Sequence, residues 1–358
     1  MMPGSFDRKD CSGIPEGNEF YRVMAEEARK HAIPLSGTFE LTPRCNFNCK
    51  MCYVHLAADR IPLFGKELTA AEWIRVAEEA RDAGMLQLCI TGGEPILHPE
   101  FETIYREISQ MGFFITLLTN ASVLSDNILC LLEEYPPQDA KITIYGSDNE
   151  IYRAVCGVEN GFTRTDQGIR DLLQLEIPVM SVTTVIKQNK DDLENIYQYT
   201  QKLKIPWIYT SGVKPSVRGA ETNAREVAID EESATDYRED VRQMIQRPAM
   251  KDEKKPCEYC RGYRMSFWVS WDGNMRFCSF MNEPDISVME HTFSEAWKRL
   301  VEYEERLQWP VSCRTCEIRH ICRRCIGMLA AFSGSADRVD EDYCKYIQAY
   351  VEQERRRK

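Results

Sequence analysis

The chain has 358 residues, is 43% hydrophobic and 28% charged, and carries 45 basic against 56 acidic side chains for a net charge of −11. These figures describe an ordinary globular protein with room for two domains, and they argue against extensive disorder and against a nucleic-acid backbone or an anionic membrane as the main partner. The opening residues, MMPGSFDRKD, lack the apolar segment of a signal peptide and no run reaches membrane-spanning length, so the expected compartment is the cytoplasm, where fifteen cysteines point to metal or redox chemistry more than to disulfides.

Residues 1–35 read as an extension ahead of the first strand. From 36 to 213, short β-rich runs alternate with amphipathic helical patterns, the signature of βα units on a parallel sheet. Strands are expected at GTFELT, LQLCITG, FFITLLT, KITIYG, VMSVTTVI and WIYTSG. Between them TAAEWIRVAEEARDAG, PEFETIYREISQMG, SDNILCLLEEY, RTDQGIRDLLQLE and DDLENIYQYTQKL carry apolar residues at helical spacing. Six repeats imply an α/β fold, an open, partial (β/α)6 TIM-like barrel, which takes its ligands at the C-terminal ends of the strands. Cys45 to Cys52 follow the first strand, Gly92, Gly93 and Glu94 the second, and Asn120 the third. Residues 214–256 are charged, lack a strand signal and read as a helical connector. A cysteine-rich domain then runs over 257–350, with eight cysteines in the last 102 residues, and a basic tail closes the chain at 351–358. So small a unit has little core of its own, and metal clusters can staple it.

The segment TPRCNFNCKMCYVH holds Cys45, Cys49 and Cys52 in C-x3-C-x2-C spacing. A zinc ion completed by His55 is one reading; a [4Fe–4S] cluster with three thiolates, one iron left open for a ligand, is the other. The second reading resembles the radical S-adenosylmethionine (SAM) enzymes, whose loop after the first barrel strand has this spacing. TGGEP, Thr91 to Pro95, looks like that family's SAM-binding motif after the second strand. The resemblance implies that the open iron chelates SAM, with Gly92, Gly93 and Glu94 at its methionyl part, Tyr53 beside the adenine, and Asn120 and Thr143 at further contacts. Independently, glycines allow close backbone approach and Glu94 offers a carboxylate to an ammonium group. Where relatives often carry an aromatic residue before the third cysteine, this chain has Met51, whose polarizable thioether can still cover an adenine face.

Further along, Cys260, Gly273 and Cys278 are followed by Cys313-x2-Cys316-x5-Cys322-x2-Cys325 and Cys344. This is similar to the SPASM extension of radical SAM enzymes, although the family's run ends C-x3-C and this one C-x2-C. The resemblance implies two auxiliary [4Fe–4S] clusters, one on Cys257, Cys260, Cys278 and Cys325, the other on Cys313, Cys316, Cys322 and Cys344. Cys11, Cys89, Cys130 and Cys156 are left as structural residues. A zinc ribbon on the two C-x2-C pairs is the alternative.

What the resemblance implies for function is reductive cleavage of SAM and hydrogen abstraction by a 5′-deoxyadenosyl radical from a peptide or protein, forming a thioether or carbon–carbon crosslink. A flavodoxin or ferredoxin type reductant is the implied partner. The stretch before the barrel is too short for an N-terminal leader-binding domain, so a leader peptide would be recognised otherwise. Ser279 stands where anaerobic sulfatase maturases have an aspartate, which counts against sulfatase maturation. The alternatives are a cofactor-biosynthetic or small-molecule radical SAM oxidase and a zinc-stabilised binding protein without catalysis. Loop position alone makes Tyr145, Asp148, Glu150, Tyr263 and Asp272 candidates for a base or hydrogen donor, and none is singled out.

Overall fold

The structure, a computed structural model, describes residues 19–229, 255–319, 322 and 325–356. All six expected strands form: β1 (Ser36–Glu40), β2 (Gln87–Thr91), β3 (Phe114–Thr119), β4 (Asp139–Thr143), β5 (Val179–Thr184) and β6 (Trp207–Thr210). They lie parallel in the order β6-β5-β4-β3-β2-β1, and a helix occupies each crossover. That is the partial-barrel arrangement the alternation implied. The helices start and stop where the chain chemistry asks: Thr69 and Glu72 form a capping box ahead of Ala70–Asp82, and Ser125 caps Asp126–Glu134.

One face of the sheet is apolar. Phe39, Leu88, Ile90, Ile115, Leu117, Ala140 and Ile142 join Trp73, Ile104, Leu131, Ile169 and Ile196 of the helices in a single core. Because side chains alternate along a strand, Thr38, Glu40, Cys89, Thr91, Thr116, Lys141 and Thr143 point the other way, into the concave side. A parallel sheet packed on both faces reads as continuous apolar runs. This one keeps a largely polar inner face, where a polar guest can be met.

Two elements depart from the sequence reading. After β4, where a loop was expected, residues Asn149–Cys156 form a helix: Asp148 caps it by accepting the Ile151 amide at 2.8 Å, and Gly157 ends it in the left-handed region at φ +69°. Within the cysteine-rich region, β7 (Ser266–Val269) pairs in parallel with the outer side of β1, and β8 (Asn274–Arg276) and β9 (Ile286–Ser287) continue the sheet antiparallel. The nine-stranded sheet therefore runs through the junction expected near residue 257. Gly37 makes this docking possible, since a Cβ there would fall 2.3 Å from the Phe267 ring. The helix Phe293–Arg306 then buries Phe293, Ala296 and Leu300 in the common core.

In the extension, Glu19–His31 is helical; of the connector, the described part holds one short helix, Ala224–Val227. Residues 1–18, including Cys11, the bulk of the connector at 230–254 and the end of the basic tail at 357–358 lie outside the described residues. Among the described residues no helix is long and apolar enough to cross a membrane.

Candidate active site

The loop that follows β1 folds back across the turn that follows β2. Gly93 N–H donates to the Thr42 carbonyl at 2.8 Å and Glu94 N–H to the Arg44 carbonyl at 2.7 Å. A Cβ on Gly92 would stand 2.6 Å from the Thr42 oxygen, and one on Gly93 2.5 Å from the Arg44 oxygen. The protein itself thus uses the room left by both glycines, to seat the cysteine loop on the GGEP turn. On its other side the loop is held by the unexpected helix, through Asn48 N–H to the Cys156 carbonyl at 2.9 Å and Lys50 N–H to the Val155 carbonyl at 3.0 Å.

Cys45, Cys49 and Cys52 are brought together between these supports, Cys49 buried and the others half-buried. Backbone amides of Phe47 and His55 donate to the Cys45 and Cys52 sulfurs at 3.4 and 3.3 Å, and the Asn120 amide approaches Cys45 Sγ at 3.8 Å. Burial first, then the neighbouring Glu94 carboxylate, raises the Cys45 thiol; a hydrogen bond with Cys156 and then burial raise Cys49; burial pushes Cys52 up to about 11. Thiols held protonated in this way are poor free nucleophiles. Sulfurs provided with N–H donors instead suit thiolates on an inorganic core, whose charge such bonds offset. Among the described residues no three His, Cys, Asp or Glu side chains converge on a single-ion site. The donor set fits a cluster.

Glu94 has no exposed surface. Its carboxylate accepts the Thr119 hydroxyl and the Asn120 amide, each at 2.7 Å, and more weakly the Ile96 amide at 3.4 Å. Burial outweighs these bonds and raises its pKa to about 7, so an approaching cation would restore its charge. Asn120 extends the network: its side chain donates to Asn46 Oδ1 at 2.9 Å and accepts the Ser122 hydroxyl at 2.6 Å, while Asn46 donates to Ser122 at 2.8 Å. Glu94 and Asn120 therefore share one polar cluster with Cys45. Thr119, Asn46 and Ser122 belong to it as well and escaped sequence reading, although N-x-N around the first cysteine and TNAS after a strand are polar runs that an apolar packing role does not explain.

The remaining adenine and ribose candidates lie apart from that cluster. Thr143 is the half-buried last residue of β4, on the inner face. Tyr53 turns toward the cysteine-rich region, its hydroxyl hydrogen-bonded with Ser279 and its ring edge-on to Phe280 at 5.2 Å. There the Cys278 and Cys325 sulfurs both lie against Gly327, at 2.8 and 3.9 Å from where its Cβ would be. Cys257 feels Cys260, Cys278 and Cys325, and Cys344 feels Cys313, Cys322 and Cys316, so two foursomes are brought together. Burial is the main cause of the raised Cys257, Cys260, Cys278 and Cys344 thiols, with Cys260 pushed up to about 11 and Cys278 to about 12. Of the candidate bases, Tyr145 is buried beside Cys49 and Asp148 caps a helix. Tyr263 donates to Glu305 at 2.8 Å, and Asp272 accepts from Ser270 and Arg276.

Comparison with known proteins agrees with this geometry. The model of the radical SAM superfamily matches residues 39–200, which span β1 to the helix before β6. The AdoMet-dependent heme synthase of Methanosarcina barkeri is 24% identical over 86% of this chain and 95% of its own. The PqqA peptide cyclase of Bradyrhizobium diazoefficiens is 28% identical over 49% of this chain, and this chain spans under half, 46%, of that relative's length. Among solved structures, Streptococcus suis SuiB bound to S-adenosylmethionine has a TM-score of 0.66 at 16% identity, covering 91% of this chain and 81% of SuiB. The match runs from the end of β1 to the helix before β6, and there the three-cysteine loop and the GGEP turn meet at the open end of the sheet; residues 39–200 are a radical SAM domain.

Proposed function

We propose that the chain is a peptide-modifying radical SAM enzyme with two auxiliary clusters. Cys45, Cys49 and Cys52 would hold a [4Fe–4S] cluster, and Gly92, Gly93, Glu94 and Asn120 would hold the SAM that binds beside it. When bound, this pair supplies a carbon radical by reductive SAM cleavage, one electron coming from a flavodoxin or ferredoxin type protein. The chain's own residues seat the cysteine loop, offer Glu94 to the ammonium group and keep a polar inner face for the substrate. The two cysteine foursomes of the tail hold the auxiliary clusters, the one that includes Cys278 next to Tyr53 through Ser279 and Phe280.

The observation that carries the peptide reading is fold likeness along nearly the whole molecule: SuiB bound to its precursor peptide SuiA has a TM-score of 0.65 and covers 96% of this chain, cysteine-rich region included. Full-length similarity to heme synthases supports a second reading, oxidation of a small-molecule cofactor precursor.

Anaerobic reconstitution tests the assignment. About twelve iron and twelve sulfide per chain are expected, falling to about eight in the Cys45, Cys49 and Cys52 triple alanine variant with loss of SAM cleavage. Unchanged cleavage in that variant overturns the site. Co-expression with a precursor peptide encoded beside this protein should remove a pair of hydrogens from the peptide, read by mass spectrometry. An untouched peptide alongside an oxidised porphyrin would favour the second reading.

A further inference from the structure

The inner face of the barrel holds a buried ion pair whose hydrogen bonding is left half finished. Glu40, the last residue of β1, and Arg218, from the segment after β6, are 1% and 5% exposed at their side chains. Glu40 Oε2 accepts Arg218 Nη2 at 2.8 Å and the Trp268 indole N–H at 3.1 Å. Arg218 Nη1 donates to the Ser279 carbonyl at 2.8 Å. Among the described residues, Glu40 Oε1 and Arg218 Nε have no partner at all, although both are buried. A buried charged atom left unpaired gives up its hydration with nothing in return. Here two such atoms, one acceptor and one donor, sit on the same ion pair.

We propose that Glu40 and Arg218 form a cradle for an amide group of the substrate, its N–H donated to Glu40 Oε1 and a carbonyl oxygen accepting from Arg218 Nε. A carboxylate would satisfy Arg218 but be repelled by Glu40, and an ammonium group the reverse. A carboxamide side chain, or the N–H and C=O of one extended backbone residue, is neutral and meets both atoms, unlike the acid groups of a porphyrin. The cradle adjoins Tyr53 and Ser279, between the Cys52 and Cys278 loops, so it would hold the substrate between the two halves of the site. This inference rests on the peptide reading above and gives it a contact.

Crystals of the cluster-loaded protein soaked with N-acetylglycine methylamide test it. Density with the glycine nitrogen on Glu40 Oε1 and the glycine carbonyl oxygen on Arg218 Nε, the two groups that an extended residue turns to one side, is the expected result. A pair closed bidentately on itself, with no amide bound, overturns the proposal. In calorimetric titration the methylamide should bind roughly tenfold more tightly than N-acetylsarcosine methylamide, whose methylated glycine nitrogen has no N–H, and than propionate. Equal affinities, or preference for propionate, overturn it too. Arg218→Lys keeps a cation beside Glu40 but removes Nε, and should weaken methylamide binding by roughly tenfold; undiminished binding by that variant counts against the cradle. Failure of the parent reading looks different: an amide-loaded cradle in an enzyme that modifies no peptide keeps the cradle, whereas peptide modification with an empty cradle keeps only the reading.

Discussion

At the end of β2, Glu94 keeps a fully buried carboxylate between the Thr119 hydroxyl and the Asn120 amide. Both partners are donors, so an amide in its place would set an NH2 group against one of them. Glu94→Gln is therefore expected to lower SAM affinity by about one to two powers of ten, through loss of a charged hydrogen bond. Equilibrium binding to the reconstituted enzyme measures it, and iron content should stay near wild type because the cysteine loop is seated by the Glu94 backbone and not its side chain. Much of this site is legible in the sequence, because C-x3-C-x2-C and GGEP are local patterns. Glu40 and Arg218 are not, since 178 positions separate them and no motif surrounds either. The one local hint is an acid at an inward position at the end of β1, SGTFE.

Among the elements, the helix Gly161–Gln174 has the tightest approach to the site. A Cβ on Gly168 would lie 1.9 Å from the Ala121 carbonyl oxygen, and Thr165 of the same helix donates to the Asn120 carbonyl at 3.1 Å. Ala121 itself sits in the left-handed region, φ +57°, within that turn. Gly168→Ala should force the helix off the Asn120 turn and destabilise the protein by about 1–3 kcal/mol, seen as a lower urea midpoint at unchanged slope. The six strands and their crossover helices were readable because periods of two and of 3.6 alternate cleanly along them. The helix Asn149–Cys156 was hidden by the turn-rich GSDN before it, although Asp148 and Gly157 supply a cap at each end. β7 was hidden by brevity, four residues among cysteines that invite a metal reading.

For the molecule as a whole, pH acts through its buried acids. Burial raises Glu304, packed near Cys257, from an ordinary value of 4.5 to about 8. Between those values the folded chain holds a proton that the unfolded chain has released, so stability falls as pH rises, the contribution being complete below about 4.5 and gone above about 8. Glu94 acts in the same sense over a narrower span, up to about 7. Unfolding temperatures between pH 5 and pH 9 should therefore decline more gently in Glu304→Gln than in wild type; parallel curves would show that Glu304 ionises in the folded chain as it does in water.

The pairing of β7 with β1 also sets an order of events during synthesis. Until residues 266–269 leave the ribosome, one side of β1 offers its backbone hydrogen bonds to any passing strand. Contacts so distant along the chain form late. The barrel then stays unsealed at the strand leading into the cysteine loop until the first residues of the tail arrive, and iron loading of that loop in a nascent chain would precede the closure that shelters it. A chain ended at residue 255 should accordingly keep its βα units yet associate through β1, measurable as aggregates in light scattering where the full chain stays dispersed.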